Sequence, residues 1–351
     1  MKPKKKKKRQ FRQAFALTLQ RLTRDKGGDA AFSGPLDSIA ILAQEKLGDS
    51  VLLTPLLRNL RQAFPKLEIH VVAFSQASAR FFMNDPDVTA VHLAKKEPLR
   101  YRKEVLSRKF DLLFNTKDHP STHFLLQSAI IPARFKVGHR NEFHEGLFDR
   151  LIDLEFHSHM VLKNCALLPL LGVHPSEAQC RPSIPPMTVS NALKEFLRQI
   201  ETPAPIGINI SAGEPVRTWM QEKWIALLGN FPQYRFVVLS GPEDFEQKRR
   251  IETACSNVMP SPPTQNLYEV GLIVGALRLL VTPDTSLIHV ASGAETPVVG
   301  LYREAPQDIS RFGPFAIPCE LVISSTGEVG SIDPDYVAAA MKKLLNATES
   351  C

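Results

Sequence analysis

No apolar run in this chain reaches the roughly 18 residues that a membrane-spanning helix needs, so none is expected. Residues 11–19 are too polar and too interrupted for the apolar stretch of a cleavable secretory signal. Cysteine is sparse. The five (Cys165, Cys180, Cys255, Cys319, Cys351) are scattered and form no Cys-x-x-Cys pair, which argues against a disulfide framework and a zinc site and for a cytoplasmic location. Both the Gly-x-Gly-x-x-Gly fingerprint and the Walker phosphate loop are missing, so dinucleotide and P-loop readings lose their main support. Acidic residues are missing from the start of the chain, where none precedes Asp25.

What stands there instead is basic: Lys2, the lysines at 4–8, Arg9, Arg12, Arg21 and Arg24, more positive charge than the net +7 of the whole chain. Phe11, Phe15, Leu17, Leu19 and Leu22 recur among them at approximate helical spacing, a pattern that suits the anionic face of a membrane through residues 1–26. The same composition fits a plain solubilising tail, and nucleic acid is the least favoured partner. The rest of the chain is ordinary in make-up, with 44% hydrophobic and 23% charged residues, and its 351 residues are too many for one small core.

Residues 27–36 read as a flexible lead-in, which makes 1–36 a basic, flexible or amphipathic leader. Strand-like apolar runs at 38–43, 67–74, 88–93 and 110–114 then alternate with helical stretches near 52–64, 77–83 and 99–107. Prolines crowd residues 174–187, which read as a linker, and the alternation restarts with strands at 206–210 and 234–239 and helices at 221–230, 243–255 and 268–276. A last helix, near 333–345, opens on an Asp-Pro signal. The expected fold is α/β with two doubly wound parallel-sheet domains, 37–180 and 181–351, facing a central cleft.

The most informative stretch is 277–302. An apolar run ends in Thr282-Pro283-Asp284-Thr285-Ser286, His289 follows, a turn is expected at Gly293, and a second apolar run occupies 298–301. The polar loop would then lie at the carboxyl edge of a parallel sheet with free N–H groups at a helix start, a natural anion site. Asn209-Ile210-Ser211-Ala212-Gly213, followed by Arg217, fits a diphosphate: small residues allow close approach and the guanidinium supplies charge-assisted bonds. An ordinary loop with a surface arginine is the plainer alternative, and Trp219 and Trp224 read as packing anchors. Glu243, in Ser240-Gly241-Pro242-Glu243, is placed to accept from ribose hydroxyls or simply to favour a helix start. In the first half, Gly48-Asp49-Ser50 sets a carboxylate at a helix N-terminus, where it can serve as a general base or as a cap. Lys117, Asp118, His119 and His123 follow a strand and are candidates for touching an acceptor, whereas His139, His144, His157 and His159 lack metal-ligand spacing.

These motifs together resemble the heptosyltransferases of lipopolysaccharide core synthesis, glycosyltransferase family 9, which have the GT-B fold. The resemblance runs from about residue 38 to 345. It rests on Lys46-Leu47-Gly48-Asp49-Ser50, Arg217-Thr218-Trp219, Leu239-Ser240-Gly241-Pro242-Glu243, Asp284-Thr285-Ser286-Leu287-Ile288-His289 and Thr296-Pro297-Val298-Val299. It implies inverting transfer of a heptose from ADP-heptose to a Kdo- or heptose-bearing lipid A core, without a metal or other cofactor, at the cytoplasmic face of the inner membrane. Asp49 would be the base. Gly213, Arg217, Glu243, Gln265, Asp284, Thr285, Ser286 and His289 would hold the donor, and Lys46, Lys117 and His119 the acceptor. The family usually carries lysine at Arg217 and glycine at Ser286, and the basic leader lies outside its core. Rival readings are a sugar-nucleotide-binding protein without transferase activity, a transferase for another nucleotide sugar, and a polyanion binder acting through the lysine leader.

Overall fold

The computed structural model describes residues 3–22, 27–93 and 96–349. Lys2, Arg24 and Cys351, and the side chains of Leu22 and of the lysines at 4–8, lie outside what is described. The chain divides into two compact units, 1–180 and 181–351.

The first unit is built on a six-stranded sheet of β1 (Ser38–Leu42), β2 (Glu68–Ala73), β3 (Ala90–Leu93), β4 (Phe110–Asn115), β5 (Ala133–His139) and β6 (Arg150–Ile152). Every pairing is parallel, in the order β3-β2-β1-β4-β5-β6, and Ile39 stands between Ile69 and Leu112. The second unit repeats the plan with β7 (Ile206–Asn209), β8 (Phe236–Leu239), β9 (Val258–Met259), β10 (Leu279–Pro283), β11 (Val298–Tyr302) and β12 (Cys319–Ile323), in the order β12-β11-β10-β7-β8-β9. Each sheet therefore reverses direction at its centre, between β1 and β4 and between β7 and β10. Loops on either side of such a reversal diverge and leave a crevice at the carboxyl ends of the strands. All five residues of β1 and of β10 are buried, so apart from Ser38 and Thr282 both are near-continuous apolar runs rather than alternating ones.

Several local features differ from the sequence reading. Residues 47–64 form two helices, Leu47–Val51 and Thr54–Ala63, and the second begins where Pro55 fits the first turn. The expected turn at Gly293 lies inside the helix Ser286–Ala294; the helix ends instead at Glu295, whose φ of 59° makes a left-handed cap. Gly293 is needed for packing, because a Cβ there would stand 2.6 Å from the Pro182 carbonyl oxygen. The lead-in is pinned rather than free: Asp29 bridges to Arg150, and the Ala30 N–H donates to the Asp149 carbonyl at 2.9 Å.

The basic leader forms a helix, Pro3–Leu22, that docks on the first unit. Ala16 and Leu19 are buried in a cluster with Phe124, Leu125 and Phe143, and Arg9 pairs with Glu142 at 2.6 Å. Its apolar residues are thus divided, since Phe11 (65% exposed) and Leu17 (49%) face away from the core. Among the described residues no helix is long and apolar enough to cross a membrane.

On β2 and β3, His70 Nδ1 and His92 Nε2 lie 2.9 Å apart, both side chains buried, with Arg108 against His70 and Glu104 3.4 Å from His92 Nδ1. Burial, reinforced by the neighbouring His70, holds the His92 imidazole down to about 4, and burial does the same to His144. An unfolded histidine titrates near 6.5, so protonation favours the unfolded chain: the full stability is present above that pH and is lost as pH falls towards 4. Urea unfolding is expected to show a loss of about 2 kcal/mol per such histidine between pH 7 and pH 5. A His92→Gln variant should flatten that dependence. A wild-type profile already flat over this range would contradict it.

Candidate active site

In the first unit the chain leaves β1 and turns into the helix Leu47–Val51, which carries Asp49 in its first turn. Lys46 occupies the cap position without a side-chain cap bond, while Ser50 donates to the Lys46 carbonyl at 3.3 Å and pairs with Ser78 at 2.9 Å. The capping alternative for Asp49 is therefore not what the structure adopts. Its half-buried carboxylate makes no hydrogen bond among the described residues and borders a recess lined by Gln44, Leu52, Thr116, Met160 and Asn164. Burial raises its pKa above the ordinary aspartate value, against the opposing pull of Lys117, Lys46 and His119.

Lys117 is fixed from three sides. Its N–H donates to Asn115 Oδ1 at 2.9 Å, and its Nζ reaches Gln44 Oε1 at 3.0 Å and Glu45 at 3.2 Å. His119 is about half exposed, and its Nδ1 lies 3.1 Å from Asp118. Asp118 in turn forms a 2.6 Å ion pair with Lys163, with both side chains nearly inaccessible. The structure thus brings Asp49, Lys46, Lys117 and His119 into one electrostatic neighbourhood. Beside it lies a recess of about 270 Å³ lined by Asp118, His119, His139, Arg140, Phe156 and Lys163.

In the second unit the reversal between β7 and β10 is tied by Asn209, whose Nδ2 donates to Thr282 Oγ1 at 2.9 Å and to Thr285 Oγ1 at 3.2 Å. Thr285 caps the helix Ser286–Ala294 by accepting from the Leu287 N–H. Ser286 opens that helix, and His289 lies one turn in and is buried. Arg217, on the short turn Pro215–Arg217, reaches the Asp284 carboxylate at 3.1 Å and donates to the Asp284 carbonyl at 3.0 Å. Gly213 borders open space, since a Cβ there would meet nothing within 4 Å. Glu243 is exposed, on the turn after β8, and no bond joins it to this cluster. The Gln265 backbone N–H donates to the buried Glu269 at 2.6 Å, and no bond joins its side chain to this cluster.

Other groups were not anticipated from the sequence. Asp244, next to Glu243, takes the hydrogen bond from Ser211 that stitches the β7 and β8 loops. Arg303 and Asp308, beyond β11, pair at 2.8 Å, and Asp308 lies 4.0 Å from Arg217. The only signal for Arg303 was its position, the first residue after an apolar run in a parallel sheet. Trp219 and Trp224 are fully buried edge to face, with ring centres 4.6 Å apart. Among the described residues no three His, Cys, Asp or Glu side chains are grouped to hold a metal ion.

Two Rossmann-like units, each with polar loops where its central strands end, define an α/β protein of the GT-B class. Solved structures share this fold. A glycosyl transferase family 9 protein from Veillonella parvula matches with a TM-score of 0.70 at 18% identity, over 91% of this chain and all of that one. The E. coli heptosyltransferase WaaC with ADP matches with a TM-score of 0.64 at 16% identity, over 89% of this chain and 98% of that one. In sequence, lipopolysaccharide heptosyltransferase 3 from E. coli is 24% identical over 285 residues, 73% of this chain and 80% of its relative. The profile of glycosyltransferase family 9 (heptosyltransferase) matches residues 99–328, and that of a family of unknown function, DUF6913, matches 12–166. The chain belongs to glycosyltransferase family 9 and is a glycosyltransferase of the heptosyltransferase type.

The Lys163–Asp118 pair gives a direct stability check, because deleting one partner strands a buried charge. Lys163→Met is expected to lower the unfolding free energy by about 3 kcal/mol in urea titrations, with much of that loss recovered in Lys163→Met/Asp118→Asn. A single variant as stable as the wild type would show that the pair is solvated.

Proposed function

We propose that this protein transfers a heptose, with inversion, from ADP-heptose to the inner core of lipopolysaccharide, using a Kdo- or heptose-bearing lipid A as acceptor. The observation that carries this reading is the Asp49 carboxylate: half-buried, free of hydrogen bonds among the described residues, raised in pKa, and flanked by Lys117 and His119. In a family 9 glycosyltransferase such a group is suited to take the proton of the acceptor hydroxyl as its oxygen bonds to the anomeric carbon. The bond to ADP breaks on the opposite face of the sugar, and the leaving diphosphate takes up the electron pair.

Arg217, the loop N–H groups around Gly213, and Thr285 and Ser286 at a helix start meet that charge in our reading, so that transfer proceeds without a metal. Asp284 and His289 hold the sugar and phosphates, and Glu243 and Gln265 lie towards the nucleoside. Lys46, Lys117 and His119 bind the acidic acceptor. The relative named lipopolysaccharide heptosyltransferase 3 supports the choice of acceptor class. The docked leader helix, with Phe11 and Leu17 exposed and no acidic residue, supports a peripheral position on an anionic membrane at the cytoplasmic face.

Incubation with ADP-heptose and truncated core acceptors, read by mass, should show addition of one heptose, undiminished by EDTA. Asp49→Asn should lower kcat by about 10²- to 10⁴-fold while ADP binding persists. Near-normal turnover in that variant would remove Asp49 from the mechanism. Nucleotide binding without transfer on any acceptor would leave a sugar-nucleotide-binding protein. For the membrane role, deletion of residues 1–26 is expected to abolish sedimentation with phosphatidylglycerol vesicles yet preserve turnover on soluble acceptor fragments. Unchanged vesicle binding would contradict it.

A further inference from the structure

We propose that Arg303 is a second guanidinium for the diphosphate of the nucleotide donor, with Asp308 as the positioning residue that holds it in place. This rests on reading the second unit as the donor site. In the parallel register Pro283 pairs with Leu301, and the Asp284 N–H donates to the Leu301 carbonyl at 3.1 Å. The residues just beyond β10 and β11 therefore emerge side by side at the carboxyl edge. Arg303 is the first residue past β11 and brings a cation to that edge.

Its geometry suits a shared anion. Arg303 donates through Nη2 at 2.8 Å and Nε at 3.3 Å to the same oxygen of Asp308. That oxygen is 4.0 Å from Arg217 Nη2, so one carboxylate lies between two guanidinium groups. Asp308 occupies one edge of the Arg303 fork and leaves Nη1 bonded to none of the described residues. Arg303 is one-third exposed, open enough to take a ligand, and Arg217 less so at 18%.

Two buried donors in the same cluster have no hydrogen-bond acceptor among the described residues. Arg217 Nε makes no hydrogen bond among the described residues, and the Glu214 carboxylate lies 3.8 Å from it. The Tyr302 hydroxyl, on a residue only 1% exposed, has no partner among the described residues and feels the charges of Asp284, Arg217 and Asp308. An unsatisfied buried donor is costly, and sites with several of them are commonly completed by a ligand. A diphosphate offers many acceptor oxygens in the span of two guanidinium groups, and guanidinium binds such oxygens in pairs. Asp284, Asp308 and Glu214 offset the charges of the two guanidinium groups, and the anion would be met by the donor atoms they leave free.

Calorimetry on the full chain with ADP, AMP and inorganic pyrophosphate separates the possibilities. Arg303→Gln should weaken ADP and pyrophosphate by about tenfold and AMP by less than twofold, with Arg303→Lys recovering part of the loss. Asp308→Asn should weaken ADP by a smaller factor, and the double variant should be no weaker than Arg303→Gln. Wild-type affinity for ADP in Arg303→Gln, alongside a clear loss in Arg217→Gln, would overturn the role of Arg303 and leave the donor site standing. An equal loss for AMP and ADP would also overturn it, by removing the link to the second phosphate. A wild-type chain that binds neither ADP nor pyrophosphate would overturn the donor-site reading itself.

Discussion

Burial of the Asp49 carboxylate against the positive field of Lys117 is the interaction on which the chemical reading turns. Burial alone would leave a neutral acid that cannot accept a proton; a close ion pair would leave an anion too stabilised to do so. The structure lies between these limits. Lys117 spends its ammonium on Gln44 and Glu45, so that it lowers the Asp49 pKa through space without bonding to it. That arrangement depends on the order of the sheet. Lys117 follows β4, Gln44 and Asp49 follow β1, and the two strands are adjacent only because the sheet reverses there.

The second unit has the same topological opening with a different set of charges around it. Thr116 ties the first unit's reversal by donating to the Leu42 carbonyl at 2.7 Å, and Asn209 ties the second by bonding Thr282 and Thr285. Around the first reversal the sequence supplies a carboxylate, Asp49, that makes no hydrogen bond among the described residues. Around the second it supplies Arg217 and Arg303, restrained by Asp284 and Asp308. A proton acceptor and an anion receiver are the two functions that glycosyl transfer from a nucleotide sugar demands, and family 9 membership supplies the reaction class.

Much of this was legible in the sequence because fully buried parallel strands announce themselves. Residues 39–43 and 279–281 are unbroken apolar runs that stop at polar loops, so both strands and the loops after them could be found with no structure. β5 was missed for a physical reason. Its Ala-Arg-Phe-Lys-Val-Gly-His carries two cations, and Lys136 is buried by donating to the carbonyls of Ser128 and Ala129, an arrangement no hydropathy pattern announces. Gly293 misled in the opposite direction: read as a turn, it is a packing glycine within a helix. Arg303 and Asp308 lie beyond the recognisable motif, and their relation to Arg217 exists only once β10 and β11 are paired. The leader's basic helix was legible, but the division of its apolar residues between docking and exposure was not.

The most direct measurement is the pH dependence of kcat/KM for heptose transfer in the wild type and in Lys117→Met. With Asp49 as the base, the rate should rise with pH through an acid limb above the ordinary aspartate range, and the limb should move further upward once the Lys117 charge is gone. An acid limb in the same place in both proteins, or none at all, would contradict the assignment of Asp49 as a base tuned by its neighbours.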